Sequence, residues 1–410
     1  MVKNEVVVII PARGKSKSIP KKNIRAFAGH PLIAYSITAA LRAKLVNRVI
    51  VSTDDAEIAT VAQEYGAEVP FMRPDALAQD DTTDFPVFEH ALMWLAENED
   101  YHPDMVVHLR ATSPVYPKTL IDDAIKVILD HPEADSVRGV VPSSENPYKM
   151  WRIGADGQMI PLLKLDGVSE PYNSPRQILP DTYWQTGHID VIRSETILEK
   201  RSMNGETIFP VYIDSAFSVD IDTLPDLRRA EQKVLENGLD MVYPGRAPRS
   251  LPDDIRLLVL DFDGVMTDDR VYVNTEGVEM VAASRSDGFG LERLRAKTEI
   301  AVVVMSKETN PVVNARCQKL GLPVYQSVEN KRQALEQLVR EKGLEAGQVM
   351  FVGNDLNDVP CFSYVGYAAA PCDAFPEALR KADRILQKAG GHGAVREVCE
   401  ILIDKFIKNH

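Results

Sequence analysis

Short β-branched runs alternate with amphipathic helical stretches along this chain, and the alternation happens twice. VVVII (Val6 to Ile10), RVIVST (from Arg48), MVVHLRAT (from Met105) and SVRGVV (from Ser136) read as strands. Between them, DAEIATVAQEYG sets Ile58, Val61, Ala62 and Tyr65 at i, i+3, i+4 and i+7, which is one face of a helix. Strand–helix alternation predicts a parallel sheet covered on both faces, because the crossovers lay helices against it. After the helical LPDLRRAEQKVLENG comes LDMVYPGRAPRSLPDD, whose Pro, Gly and Arg content is that of a linker, with a break between Gly238 and Asp254. The pattern then restarts at IRLLVLDFDG and continues through IAVVVMS and VMFVGND. The expected organisation is α/β in two domains, residues 1–240 and 255–410, joined by 241–254.

Composition narrows what these domains do. A formal net charge of -13 on 410 residues argues against a nucleic-acid binder, which needs a basic face spread over a domain. Cys317, Cys361, Cys372 and Cys399 show no CxxC spacing, so neither a zinc site nor a disulfide framework is expected. No apolar run reaches the roughly 18 residues of a membrane span, and no signal-like start is present, which leads to the expectation of a soluble, cytoplasmic protein. Against this acidic background PARGKSKSIPKKNIR, residues 11–25, carries six Lys or Arg and no Asp or Glu. Ligands of open parallel sheets bind beyond the carboxyl ends of the strands, so a basic loop leaving the first strand suits a polyphosphate; the alternative is a solvated charged loop.

The loop resembles the signature of acylneuraminate cytidylyltransferases, approximately A-R-x-x-S-K-G-x-P-x-K-N, through Ala12, Arg13, Ser16, Lys17, Ser18, Ile19, Pro20, Lys22 and Asn23, with Ser18 in place of the family glycine. STDDAEIA, RPDALAQD, RATSP and SVDIDT extend the resemblance, in order, across residues 1 to about 240. It implies that CTP is the co-substrate, held by Ala12, Arg13, Ser16, Lys22, Asn23 and Arg73, with Arg13 and Lys22 neutralising its phosphates and Asp220 and Asp222 binding Mg²⁺. The chemistry asks for the same residue types. When a sugar hydroxyl attacks the α-phosphate and pyrophosphate leaves, negative charge builds on the leaving group, and cations stabilise it. Asp220 and Asp222 lie two apart, so in an extended segment both carboxylates face one side and could share a hard cation; capping of the following helix is the alternative. The sugar contacts implied are Arg110, where relatives have Gln, Arg176 in the PRQ motif, and Gln185 and Thr186 in YWQTGHIDVI. An Arg at 110 would suit a different substituent or another anion.

In the second half, LLVLDFDGVMTDD resembles the first motif of the haloacid dehalogenase superfamily. Asp261 and Asp263 on one side of a strand end give a nucleophile and a general acid–base, with Mg²⁺ on Asp261, Asp263 and Asn354. Ser306, Lys331 and GNDLND follow in the superfamily's order, with Asn354 where many relatives have Asp. From about Ile255 onward the chain resembles the nearly capless phosphatases of octulosonate 8-phosphate and nonulosonate 9-phosphates, through RVYVNTEGVEM, DGFG and GGHGAVRE. Lys307, Glu308 and Lys319 resemble the sialic-type branch, with Ser306, Glu308 and Lys319 as implied substrate contacts. That resemblance also implies a homotetramer assembled through the hairpin, with Gly390 to Glu397 as a tail closing a neighbour's site.

Together the resemblances imply an α/β fold with an N-terminal nucleotidyltransferase, a Rossmann-like mixed sheet with helices on both faces, and a C-terminal Rossmannoid phosphatase with a minimal cap. The expected activity is transfer of CMP from CTP to the anomeric hydroxyl of a nonulosonic acid, preceded by hydrolysis of its 9-phosphate. Mg²⁺ serves both domains; nucleic acid and membrane are not expected partners. Two rivals stand beside this: a second domain that is only an oligomerisation platform, and an octulosonate or other 2-keto-3-deoxy acid as the sugar.

Overall fold

Successive side chains of the first strand, β1 (Val6–Pro11), enter different cores. Val6, Val8 and Ile10 pack with Ile33 and Ile37 of α1 (Leu32–Arg42) and Ile121 and Ile125 of α4 (Leu120–Asp130), with α2 (Ala56–Glu64) adding Ile58 and Ala62 on the same side. Val7 and Ile9 pack with Phe88, Leu92 and Leu95 of α3 (Asp84–Glu99). At roughly 1.5–3 kcal/mol for each fully buried aliphatic or Phe side chain, sealing both faces is what holds such a strand at the centre of a sheet. The structure is a computed structural model that describes residues 4–236 and 239–407; the expected break at Gly238 lies outside the described residues.

Chain contacts divide the molecule into two compact units. In the first, β1 is flanked by β2 (Arg48–Ser52) and β3 (Met105–Leu109), followed by β5 (Tyr183–Arg193), β4 (Ser136–Pro142) and β6 (Ile208–Tyr212) in one six-stranded sheet. β5 runs antiparallel to β3 and β4, and the remaining pairings are parallel. The sheet is therefore mixed. Strand–helix alternation alone predicts parallel pairing throughout, and it fails at β5 because residues 143–182 between β4 and β5 hold a short hairpin and 3₁₀ turns instead of a crossover helix. A register shift between Arg138 and Val140 kinks β4 against β5. α5 (Ser194–Leu198) follows, and then α6 (Leu224–Glu236), which belongs to this unit up to Ala230.

The second unit contains an all-parallel six-stranded sheet in the order β11 (Val324–Tyr325), β10 (Ala301–Met305), β7 (Leu257–Leu260), β12 (Val349–Val352), β13 (Tyr367–Ala370) and β14 (Arg384–Ile385). Leu258 and Leu260 face the core shared with α7 (Arg285–Lys297), α8 (Val312–Leu320) and α12 (Ala394–Ile407). Leu257 and Val259 face the core shared with α9 (Lys331–Glu341), α10 (Val359–Phe362) and α11 (Pro376–Lys381). A two-stranded hairpin, β8 (Thr267–Val273) with β9 (Glu279–Ala283), leaves the first strand end. The segment Gly390 to Glu397 is anchored within its own unit. Gly391 N donates to Val265 O at 3.0 Å, Arg396 N to Asp287 Oδ1 at 2.8 Å, and Ala394 and Val395 are fully buried.

Part of the stretch read as linker is packed. Met241, Val242 and Tyr243 are buried in the first unit, where Val242 N donates to Tyr116 O at 2.9 Å. In the second unit the fully buried Asp383 accepts from Arg249 Nη2 at 2.6 Å, Arg246 Nη2 at 2.8 Å and Ala368 N at 2.8 Å. Removing one partner of a buried ion pair costs roughly 3–5 kcal/mol, and the Arg246 and amide contacts keep Asp383 at the lower end. Arg249→Ala is therefore expected to lower the urea midpoint of the second unit by about 1 M or more, taking a slope of about 1–3 kcal/mol per M. Arg256→Ala, whose partner Asp254 is exposed, is expected to leave the midpoint nearly unchanged.

Candidate active sites

In the first unit the basic loop folds back on itself beyond the carboxyl end of β1. Ala12 is buried and continues the pairing with β2 by donating to Ser52 O at 2.9 Å. Asn23 Nδ2 donates to Arg13 O at 3.0 Å and so closes the loop, while Lys21 adopts a left-handed conformation (φ 51°) that turns the chain into the 3₁₀ turn at Lys22. Arg13 lies 3.0 Å from Asp80 and donates to Gln79 O at 2.8 Å; Lys17 lies 2.5 Å from Asp80. Ser16 sits half-buried on the same loop. Arg73 is 6 % exposed, donates to Ser52 O at 2.6 Å, and leaves its Nε buried without a partner. Burial pushes its guanidinium below the usual arginine range, and the charges of Asp54 and Asp84 oppose that shift.

The acidic side of this site is built on an extended segment. Ile221 is fully buried and donates its N–H to Thr112 O at 2.9 Å, so Asp220 and Asp222 project on the opposite side. Lys22, itself buried, lies 3.1 Å from Asp222 Oδ1. Burial and the charge of Asp222 raise the Asp220 carboxyl above the usual range, although Thr112, Lys22 and Arg110 pull it down. Neither Asp caps α6. Thr223 does, accepting from Asp226 N at 3.4 Å while Asp226 Oδ2 accepts from Thr223 N at 2.8 Å.

The sugar-side expectations are met unevenly. Arg110 stands at the end of β3 and is already doubly paired, to Asp190 Oδ2 at 3.1 Å and Asp84 Oδ2 at 3.2 Å. It offers no uncompensated positive charge. Thr186 is buried and donates to Gly139 O at 3.4 Å, at the kink in β4, so its hydroxyl serves the sheet. Gln185 is exposed, and Arg176, also exposed, donates to Ser144 O. The reading of the sequence missed the network behind Arg110. Asp190, 1 % exposed, also accepts from Arg138 Nε at 2.8 Å. Burial would raise its carboxyl, but the hydrogen bond from Arg138 and the charges of Arg110 and Arg138 hold it below the usual range. His108 is fully enclosed beside it with both ring nitrogens unpartnered, and burial pushes it down to about 4. The signal available was a His and an Asp inside the otherwise apolar strands MVVHL and HIDVI.

In the second unit Lys331 is the hub. Its Nζ lies 2.8 Å from Asp261 Oδ1 and 2.7 Å from Asp358 Oδ1, and all three side chains are buried. Asp358 Oδ2 accepts from Asn354 N at 2.9 Å and Asp355 N at 3.3 Å. Two buried carboxylates therefore share one ammonium. Burial and the charge of Asp358 raise Asp261 well above the usual range against the pull of Lys331, while the two carboxylates raise the buried ammonium despite its desolvation. Asp263 is pushed up to about 6 by burial and by the charges of Glu308 and Asp269. Asp261, Asp263, Lys307, Glu308, Thr309, Lys331 and Asn357 line a cavity of about 300 Å³. Ser306, buried at the end of β10, accepts from Glu308 N at 3.0 Å. Lys319 is exposed in the last turn of α8 and does not line the cavity.

Both sites fit a hard cation by charge and donor type. Beside Lys331, the Asn354 amide faces the Asp263 carbonyl oxygen at 2.9 Å and Asp261 Oδ2 at 3.3 Å. With its nitrogen inward the amide donates to both; with its oxygen inward, three oxygens converge. Adjacent ligands of an octahedral ion at 2.0–2.1 Å are about 2.9 Å apart, close to the first of these spacings. Among the described residues no three His, Cys, Asp or Glu side chains are grouped to hold a metal. A cation at either site would draw on one or two carboxylates, with backbone or amide oxygen, water and substrate phosphate completing its shell, the habit of Mg²⁺.

Residues 7–150 match the family model described as cytidylyltransferase, and residues 305–398 match that of haloacid dehalogenase-like hydrolase. N-acylneuraminate cytidylyltransferase A of Danio rerio is 32% identical to this chain over 98% of its length and 90% of the relative's. N-acylneuraminate cytidylyltransferase of Oncorhynchus mykiss is 30% identical over 99% and 91%. The second unit is similar to 3-deoxy-D-manno-octulosonate 8-phosphate phosphatase KdsC of Escherichia coli, 38% identical over 37% of this chain and 80% of that one.

Gly264 (φ 72°) is needed where it stands, because a Cβ there would overlap the Asn354 amide as well as strain the backbone. Gly264→Ala is expected to lower phosphate release from a sugar phosphate by roughly 10–100-fold, the usual effect of disturbing groups that orient a metal's ligands. Nucleotide transfer, measured in parallel, should be unchanged.

Proposed function

Because this chain belongs to the N-acylneuraminate cytidylyltransferase family and carries a haloacid dehalogenase-like hydrolase unit behind the transferase, we propose that it performs two consecutive reactions. The second unit hydrolyses a nonulosonate 9-phosphate, and the first transfers CMP from CTP to the anomeric hydroxyl of the freed nonulosonic acid, releasing pyrophosphate. An N-acylneuraminate is the acceptor that the full-length relatives' names favour. The observation that carries the bifunctional reading is Lys331 held between Asp261 and Asp358 at the floor of a cavity that also contains Asp263. A platform relieved of catalysis has no use for three buried charges so arranged.

In the second unit Asp261 attacks the phosphoryl group. Asp263, raised to about 6 by burial, gives a proton to the departing sugar oxygen and then takes one from the water that attacks the aspartyl phosphate, freeing Asp261 and inorganic phosphate. Lys331 and the Ser306 hydroxyl hold the phosphate oxygens, and Asp358 keeps Lys331 in place. In the first unit Arg13 and Lys22 meet the phosphates of CTP, Asn23 keeps the loop closed, and Arg73 helps to hold the nucleotide. Asp261, the Asp263 carbonyl and Asn354 would hold one Mg²⁺, and Asp220 and Asp222 another; bound there, the ion offsets the excess of buried carboxylate and withdraws charge from phosphate oxygen. Val271, Tyr272, Val273, Val278 and Met280 are exposed on the β8–β9 hairpin, which favours assembly through that hairpin, and we assign a homotetramer to it. Among the described residues no helix is long and apolar enough to cross a membrane; we place the enzyme in the cytoplasm, where CTP is made.

Two substitutions separate the reactions. Lys22→Ala is expected to lower CMP transfer by about 2.7–4 kcal/mol of transition-state stabilisation, roughly 100-fold or more, while phosphate release continues. Asp261→Asn should end phosphate release while CMP transfer continues; wild-type inertness toward every 9-phosphate and 8-phosphate would leave only the transferase. Chelating divalent cations is expected to stop both reactions and added Mg²⁺ to restore both. Persistence of either in chelator would remove the metal from that unit.

A further inference from the structure

We propose that the Asp84–Arg110 pair is a specificity element of the transferase, reading one neutral hydroxyl or acylamido substituent of the acceptor sugar; this rests on the cytidylyltransferase reading of the first unit. Arg110 leaves the carboxyl end of β3, where ligands of open sheets bind. The segment it opens reaches the acidic side of the site, because Thr112 O accepts from Ile221 N, between Asp220 and Asp222, at 2.9 Å. The partners of Arg110 differ in a way that matters. Asp190 is buried and shared with Arg138, so it is not available to a ligand. Asp84 begins α3 with 46% of its side chain exposed, and its contact with Arg110 uses only Oδ2.

The ionised pair consequently presents a carboxylate oxygen, Asp84 Oδ1, beside the remaining N–H groups of Arg110. An acceptor next to a donor, with no net charge, complements a group that both donates and accepts, which a hydroxyl or an amide does and a carboxylate does not. The charge count points the same way. Arg110 and Arg138 balance Asp84 and Asp190 before any sugar arrives, and His108, 3.7 Å from Asp190 and 3.8 Å from Asp84, is neutral. An additional anion would have to displace Asp84 from Arg110, at a cost a neutral substituent avoids.

The test uses the full chain with CTP, Mg²⁺ and a panel of nonulosonic acids, each with one hydroxyl or acylamido group replaced by hydrogen. Wild type is expected to discriminate against one of these analogues by roughly 10–100-fold in kcat/KM, the worth of a hydrogen bond to a charged group. Asp84→Asn should abolish that discrimination by raising KM for the parent acceptor, with KM for CTP unchanged. Arg110→Lys, which keeps the charge and loses the fork, should do the same. Pyrophosphate release with the parent acceptor reports the transferase itself, so its absence in wild type indicts the cytidylyltransferase reading and the discrimination ratio indicts this one. Discrimination that survives Asp84→Asn at every position, or a change in KM for CTP as large as that for the sugar, overturns the assignment.

Discussion

Both sheets are sealed on two faces by aliphatic side chains, and this decides where everything else in the protein must be. A strand such as Val6–Pro11 or Leu257–Leu260 has no face left for solvent or ligand. Polar chemistry is confined to the edge where the parallel strands end. In the first unit that edge carries Arg13, Lys22, Arg110 and, one segment away, Asp220 and Asp222. In the second it carries Asp261, Asp263, Ser306 and Asn354. The same constraint explains why the loops carry charge: a residue just beyond the last sealed pair is the first that water, metal or phosphate can reach.

The two edges differ in how charge is balanced without substrate. In the first unit the cations are already engaged, Arg13 and Lys17 with Asp80, Lys22 with Asp222, Arg110 with Asp84 and Asp190. Exposed pairs such as Lys17 with Asp80 are worth little, about 0–1 kcal/mol, so a polyphosphate can replace Asp80 at small cost. The second unit keeps its imbalance buried. One ammonium faces two enclosed carboxylates, and burial together with the charge of Asp358 raises Asp261, which a divalent cation would lower again. Weakly held cations suit binding of a nucleotide, and a buried carboxylate excess suits recruitment of a metal.

Elements with strong periodicity were legible in the sequence. VVVII becomes the strand expected, RVIVST and MVVHLRAT do so as far as Ser52 and Leu109, and Ile58 and Ala62 are buried on one side of their helix. Motif residues at strand ends were legible too, because DFDG after LLVL and the basic run after VVVII depend on local spacing. What could not be read was set by distant contacts. The antiparallel turn of Tyr183–Arg193 follows from an excursion that lacks a crossover helix. Thr186 faces the sheet because of a kink in another strand. Lys319 falls on the exposed side of its helix. His108, Asp84 and Asp190 carry no motif, and only the fold brings them to Arg110.

The central claim is that one chain carries a phosphorylated sugar acid to its activated nucleotide. The most direct measurement is ³¹P NMR of the full-length protein supplied with Mg²⁺, CTP and a nonulosonate 9-phosphate, with no free sugar acid. Sequential catalysis predicts that the 9-phosphate signal gives way to inorganic phosphate, followed by pyrophosphate and the CMP-sugar in equal amounts. An unchanged 9-phosphate signal, with CMP-sugar forming only after free nonulosonic acid is added, would contradict it.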